Sequence, residues 1–168
     1  MTELNLNETL PICVAGEWRP GGGDRYATLY PATGEAVAYL NAASVADVEE
    51  AIVGADRAFR TSGWAQKKPH ERAIILYRVA QLIRERGEAL AQRQRLDNGK
   101  PITETRNLVG SAAATFQFFA AACETLEETI TPMRGDNLTM SVYEAMGVVA
   151  AITPWNSPIA SEAQKMAP

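Results

Sequence analysis

One stretch constrains this chain more than any other: Gly147-Val148-Val149-Ala150-Ala151-Ile152-Thr153-Pro154-Trp155-Asn156-Ser157-Pro158. Val148 to Ile152 is apolar without polar alternation, the pattern of a strand covered on both faces in a parallel sheet. Ser157 followed by Pro158 reads as a helix start, a hydroxyl free to cap a backbone N–H and a ring that presets the first helical φ. Trp155 and Asn156 then stand at the carboxyl end of the strand, the edge where open α/β sheets bind ligands. A buried parallel strand also needs a partner reached through a helix and a second strand. The sequence reaches Pro168 inside that crossover, so the expectation is an unfinished sheet in which Val148 to Ile152 lacks a parallel partner.

The 168 residues suit one domain, and 46% apolar with 21% charged is an ordinary soluble composition without repeats or low-complexity segments. A net charge of −4 disfavours a nucleic-acid surface. Arg84, Arg86, Arg93 and Arg95 cluster, but Glu85 and Glu88 interleave with them, as on a solvated helix face. Cys13 and Cys123 lie far apart in no CxxC or zinc pattern, which predicts reduced thiols and a cytoplasmic protein. Met1 to Pro11 has no basic residue and does not read as a signal or transit peptide. No apolar run approaches the roughly 18 residues of a membrane span.

In chain order, Ile12-Cys13-Val14 and Trp18 flank Ala15-Gly16-Glu17 as in a small hairpin, and Pro31-Ala32-Thr33-Gly34 turns Leu29-Tyr30 into a strand over Ala36 to Leu40. Gly21-Gly22-Gly23 has neither the strand before it nor the Lys-Ser/Thr pair after it that a phosphate loop needs, and reads as a flexible turn. Ser44 and Asp47 make a capping-box-like start to a helix with Val48, Ile52, Ala55 and Phe59 on one face, ending near Gly63. A second helix after Pro69 sets Ile75, Leu76, Val79, Leu82, Ile83 and Leu90 on its apolar side, with an interruption at Gly87. His70, at its start, reads as an exposed first-turn residue. Asp97-Asn98-Gly99 forms a turn, and Pro101 fits the first position of a third helix. On that helix Val109, Ala112, Ala113, Phe116, Phe119, Ala120, Cys123 and Leu126 form a stripe. Cys123, and likewise Cys13, is expected to be a buried, inert thiol. Leu138 to Tyr143 alternates as in a half-buried strand. Asn7-Glu8-Thr9 and Asn137-Leu138-Thr139 match a glycosylation pattern that has no meaning in the cytoplasm.

Pro154-Trp155-Asn156, with Lys165-Met166-Ala167-Pro168 after it and Gly16-Glu17-Trp18, Pro31-Ala32-Thr33-Gly34-Glu35, Trp64 and Leu96-Asp97-Asn98-Gly99-Lys100-Pro101 before it, resembles the aldehyde dehydrogenase superfamily in order and rough spacing over nearly the whole chain. The resemblance implies an α/β fold: the N-terminal part of an aldehyde dehydrogenase, helix-rich with small β-hairpins and the first strand and helix of a Rossmann-like parallel sheet, incomplete. Residues 1–168 would be one incomplete domain, 137–144 a strand of the arm through which family members oligomerise, and 147–168 the first βα unit of the dinucleotide-binding sheet. Family members are much longer, and their nucleophilic cysteine and general-base glutamate lie in motifs past this point. Ser157, where many members have an aromatic residue, and Arg95, in a segment often acidic, depart from the pattern.

The reaction the resemblance implies is aldehyde oxidation to a carboxylic acid. A cysteine thiolate attacks the carbonyl, hydride leaves to NAD or NADP, and activated water hydrolyses the thioester. Asn156 matches the side-chain amide that donates to the oxyanion. Ile152, Thr153, Pro154 and Trp155, with Asn156, match positions along the cofactor, and Lys165 matches a lysine assigned to a charge relay. No metal is implied. The implied partners are a small aldehyde and, for the full-length enzyme, further copies of itself; residues 1–168 alone are expected to be inactive and to bind no dinucleotide tightly. Two readings from other classes stand beside this one. In the first, the helices form a non-catalytic interaction module that associates with a full-length relative. The second, a generic nucleotide-binding fold, lacks a G-x-G-x-x-G or Walker sequence.

Overall fold

The structure is a computed structural model that describes residues 9–133 and 135–168; Asn7 and Glu8 of the first glycosylation pattern, like most of the opening segment, lie outside the described residues. Thr9–Leu10 (β1) runs parallel to Ala36–Asn41 (β5), which pairs antiparallel with Arg25–Leu29 (β4). A separate hairpin joins Ile12–Val14 (β2) to Glu17–Arg19 (β3). Its turn residues Ala15 and Gly16 have φ of 50° and 92°, the left-handed pair that suits the twist of a two-residue hairpin. Glycine adopts this freely; Ala15 is strained by about 1 kcal/mol. Alternation then turns Val14 inward and Cys13 outward, so Cys13 is exposed rather than buried as expected.

The capping box at Ser44 and Asp47 is present and starts Val45–Thr61 (α1). Asp47 does more than cap: its buried carboxylate accepts from Gly22 N, Ser44 N and Ser44 Oγ, each at 2.8 Å, and pairs with Arg19 Nη1 at 2.7 Å. The triglycine run is therefore no flexible turn. A Cβ on Gly21 or Gly23 would stand 2.4 or 2.8 Å from the Ala42 carbonyl oxygen, so the run is glycine because it passes close over the β5–α1 junction. The helix docks the β2–β3 hairpin at Gly54, where a Cβ would lie 2.6 Å from that of Ala15.

Three further helices follow as the periodicity predicts: Pro69–Glu85 (α2), Gly87–Asn98 (α3) and Ile102–Thr125 (α4), with the break at Gly87 and Pro101 at the cap rather than the first turn. The core gathers Ala80 of α2, Ala112 and Phe116 of α4, and Ala163 and Ala167 at the chain's end, with Leu76, Val79, Ile83, Phe119 and Ile159 packed around it. Small residues thus occupy most of the innermost positions; of the larger ones named from the sequence Val109 and Phe116 are buried, while Leu76, Val79, Ile83 and Phe119 are partly buried. Ile75 and Leu126 are exposed, Cys123 is half-buried, and Val48, Ile52, Ala55 and Phe59 of α1 are exposed. The α1 stripe is correctly spaced but lacks a cover, because α1 contacts only the β2–β3 hairpin appreciably.

Beyond α4 the chain has little ladder. Thr129–Ile130 (β6) pairs with Met140–Ser141 (β7), so the expected strand over Leu138 to Tyr143 is paired at two residues only. Val148 to Ile152 is not a strand and is exposed, with Ile152 95% accessible. Both departures have one cause: an extended segment becomes a strand only by exchanging hydrogen bonds with a neighbour, and none lies alongside Val148 to Ile152 among the described residues. Pro158–Met166 (α5) closes the chain at the predicted proline, though the Ser157 side chain makes no capping bond.

Two outcomes follow from this packing. Hydrogen bonds from Gly22 N, Ser44 N and Ser44 Oγ, with Arg19 nearby, hold the Asp47 carboxyl well below the usual carboxylate range. Its folded pKa lies below its unfolded one, so its contribution is full above about pH 4 and is lost as pH falls toward the folded value. Urea midpoints measured from pH 6 down to pH 3 should fall less steeply for Asp47→Asn than for the wild type. Gly54→Ala should lose about 1 kcal/mol net, since the overlap with Ala15 outweighs the gain in helix propensity, and Ala15→Gly should restore it; equal losses in both backgrounds would disprove the close approach.

Candidate functional site

Pro154-Trp155-Asn156 occupies the bend between the extended 147–153 segment and α5. Pro158 opens α5, and Ser161 N donates to the Ser157 carbonyl at 2.9 Å, so the helix begins two residues after Asn156. Ala160, Ala163 and Ala167 are buried against the core formed with α2 and α4 and fix the helix there. The bend is thereby set at the end of a packed element while its own side chains remain in solvent.

A second tether comes from the turn after α3. Asn98 Nδ2 donates to the Asn156 carbonyl at 3.4 Å, and Asn98 Oδ1 accepts from Lys100 N at 3.1 Å. Gly99, at φ 73°, ends α3 in the left-handed conformation, and a Cβ there would meet the Pro31 ring at 3.1 Å. Next to it, Asp97 Oδ1 accepts from Thr28 Oγ1 of β4 at 2.7 Å. The main chain of Asn156 is thus linked through Asn98 to α3 and from there to the sheet. Its carboxamide is exposed, and among the described residues no partner takes it, so both N–H groups are free to donate.

The other residues named from the sequence fall differently. Ile152 and Trp155 are 95% and 77% accessible, Pro154 is exposed and Thr153 half-buried. These residues fit one wall of a dinucleotide site: an indole and an aliphatic chain open to stack, and a hydroxyl and a carboxamide able to hydrogen-bond. The 147–158 segment carries no basic residue, and none of Ile152 to Asn156 lines the cavities of about 320, 420 and 270 Å³, so charge for a pyrophosphate and the opposite wall are not supplied by this segment. Lys165 is exposed, turned away from buried Ala160, Ala163 and Ala167.

The cysteines stand apart from the bend in the fold. Cys13 faces outward on β2, and Cys123, near the end of α4, donates its thiol to the Pro69 carbonyl at 3.4 Å. His70 is exposed, as are Arg84, Arg86 and Arg93, while Arg95 is half-buried. Glu88 is held by Arg106 and Gln92 at a pKa of about 2, a surface tie between α3 and α4 with no chemistry nearby. No cluster of three or more His, Cys, Asp or Glu side chains suited to a metal occurs among the described residues, and no described helix is long and apolar enough to cross a membrane. Sequence reasoning took Asn98 for a turn former only and passed over Gln94. Little in the sequence marked Gln94: of its neighbours three and four residues away on α3 only Ala91 is buried, while Leu90 and Asn98 are half-buried and Asp97 is exposed.

Residues 18–168 match the profile of the aldehyde dehydrogenase family. A putative aldehyde dehydrogenase, DhaS, of Bacillus subtilis is 34% identical over 166 residues, 98% of this chain and 34% of that protein. An aminoacetaldehyde dehydrogenase of Pseudomonas aeruginosa is 35% identical over 148 residues, 88% of this chain and 30% of its own length. Among solved structures, the NAD+ complex of an aldehyde dehydrogenase from Bacillus cereus superposes with a TM-score of 0.91 at 32% identity, covering 96% of this chain and 33% of that one. Betaine aldehyde dehydrogenase of Staphylococcus aureus, also solved with NAD+, gives 0.89 at 28% identity and covers 97% of this chain and 32% of that one. The fold is thus the corresponding part of an aldehyde dehydrogenase fold, and the chain belongs to the aldehyde dehydrogenase family. It spans about a third of the length of these relatives.

If Asn98 holds the bend, Asn98→Ala should speed hydrogen exchange at the amides of residues 155–157 by about fivefold, the loss of one hydrogen bond of roughly 1 kcal/mol. Unchanged exchange there, read by mass spectrometry, would show that α5 alone fixes the bend.

Proposed function

We propose that this chain is the part of an NAD- or NADP-dependent aldehyde dehydrogenase that supplies the oxyanion donor and one wall of the cofactor site, and that the whole enzyme oxidises a small aldehyde to its carboxylic acid. The observation that carries the reading is the pairing of a fixed main chain with a free side chain at Asn156: its carbonyl is held by Asn98 while its carboxamide N–H groups face solvent. Holding the main chain sets where the unpaired carboxamide can reach, and a donor placed in advance near developing negative charge stabilises that charge with little reorganisation. The match of residues 18–168 to the family supports the same assignment.

In this reading Trp155 and Ile152 give the cofactor an apolar face, and Thr153 offers a hydroxyl beside it. The nicotinamide, when bound, accepts the hydride from the substrate carbon. Asn156 donates to the carbonyl oxygen as the nucleophile adds, and the bond strengthens as charge grows. Lys165, exposed in the last turn of α5, is proposed as the relay lysine. Nucleophile and general base come from other parts of the subunit, since Cys13 and Cys123 stand on β2 and α4. Residues 147–168 are the first βα unit of the dinucleotide-binding sheet, 137–144 belong to the arm that joins copies of the enzyme, and the assembled enzyme is cytoplasmic. The apolar side chains exposed along that arm, among them Leu138, Met140, Val142 and Tyr143, support its place in an interface.

The test fuses residues 1–168 to the remainder of the Bacillus cereus enzyme. Asn156→Ala in the fusion should lower kcat by roughly 10²–10³ with little change in KM for the aldehyde, because the lost bond matters most in the transition state. Residues 1–168 alone should produce no NADH from aldehydes. A kcat within about twofold of the parent, in a fusion whose chemical step limits turnover, would make Asn156 a strand terminator rather than a catalytic group.

A further inference from the structure

The most informative unexplained group is Gln94. It is 6% accessible on α3, and neither its Oε1 nor its Nε2 has a hydrogen-bond partner. A buried amide left unpaired forfeits its bonds to water without replacement, so such groups ordinarily have a partner that completes them. Gln94 lines a cavity of about 320 Å³ bounded by β5, α3 and the first turn of α5, with apolar walls that include Leu10, Val37, Leu90 and Ile159. The exposed side chains of Arg93, Asp97 and Glu162 and the half-buried Thr28 also line it, so the cavity is apolar with polar groups at its edge, and Gln94 is the one buried amide set in its wall without a partner.

The chemistry of the partner follows from that pairing. A carboxamide presents an acceptor and donors side by side, so it is completed by a group that offers a donor and an acceptor together. Carboxylates and phosphates would satisfy Nε2 and leave Oε1 orphaned. A main-chain peptide group satisfies both, and the side chain next to it can enter the apolar space. The polypeptide to provide it exists in this family, because relatives that match 96–97% of this chain are about three times its length. We propose that the cavity is the docking site for an extended segment from the remaining two-thirds of an aldehyde dehydrogenase subunit, anchored by two hydrogen bonds between the Gln94 carboxamide and a main-chain peptide group of that segment. The proposal rests on the reading of the chain as part of such a subunit, and adds to it which contact joins the parts.

Two measurements on Gln94→Leu test it. The probe is the portion of the Bacillus cereus enzyme that this chain does not match, co-expressed as a separate polypeptide with affinity-tagged residues 1–168. Wild-type chain should recover the probe, and Gln94→Leu should lower recovery by about tenfold. The melting temperature of the isolated Gln94→Leu chain should stay the same or rise, because leucine fills the same space without an orphaned amide. This opposition is what a merely structural glutamine would not produce. Equal recovery by both chains would leave water as the partner of Gln94 and overturn the proposal, as would a Gln94→Leu chain that melts earlier and binds less in parallel. Failure of the wild-type chain to recover the probe would also overturn it, while leaving the role of Asn156 to be judged separately by the fused enzyme.

Discussion

Close packing of alanines holds the helical layer together. Ala80, Ala112 and Ala163 are fully or almost fully buried where α2, α4 and α5 meet, and Phe116 fills the space beside them. Side chains this small let helix backbones approach closely, and any added methylene there would have to be taken up by a shift of a whole helix. The bend at Asn156 inherits its position from this contact, because α5 begins two residues later and is anchored at Ala160, Ala163 and Ala167.

Polar contacts, by contrast, connect the layers. Asp47 joins the glycine run, the β2–β3 hairpin and α1 through three hydrogen bonds and the pair with Arg19. Thr28, Asp97 and Asn98 connect the sheet, the end of α3 and the bend. A buried carboxylate with both oxygens engaged tolerates few alternatives, so these contacts fix geometry as well as adding stability. Accurate placement of Asn156 needs both kinds of contact, helix packing for the α5 side and the Asn98 bond for the other.

Two stretches of exposed apolar side chains are continuous enough to form surfaces. On α1, Val48, Ile52 and Phe59 form a helical stripe without a cover, and along residues 138–155 an extended ribbon lies open. The chain spans about a third of the length of the relatives it matches, and contiguous apolar surfaces of this kind are ones that ordinarily meet other polypeptide. Gln94 is the polar counterpart of the same situation.

Much of the fold was legible in the sequence. The Ser44–Asp47 box, the break at Gly87, the Gly99 turn and Pro158 marked four helix boundaries, because caps, glycine and proline act through the backbone of their own neighbourhood. The Pro154-Trp155-Asn156 motif pointed to both the candidate site and the family. What the sequence could not decide was which surfaces find partners. Periodicity put Val48 and Ile52 on an apolar face and made Val148 to Ile152 strand-like, yet burial and strand pairing require a second element at the right distance, which no local pattern encodes. The same holds for the glycine run, closed by the Ala42 carbonyl and Asp47, and for Cys13, turned outward by the face its hairpin presents to α1. Local chemistry in the sequence determined where helices start and stop and which residue types meet at the bend; the tertiary structure alone decided which of them are covered, because contact is a property of pairs of elements distant along the chain.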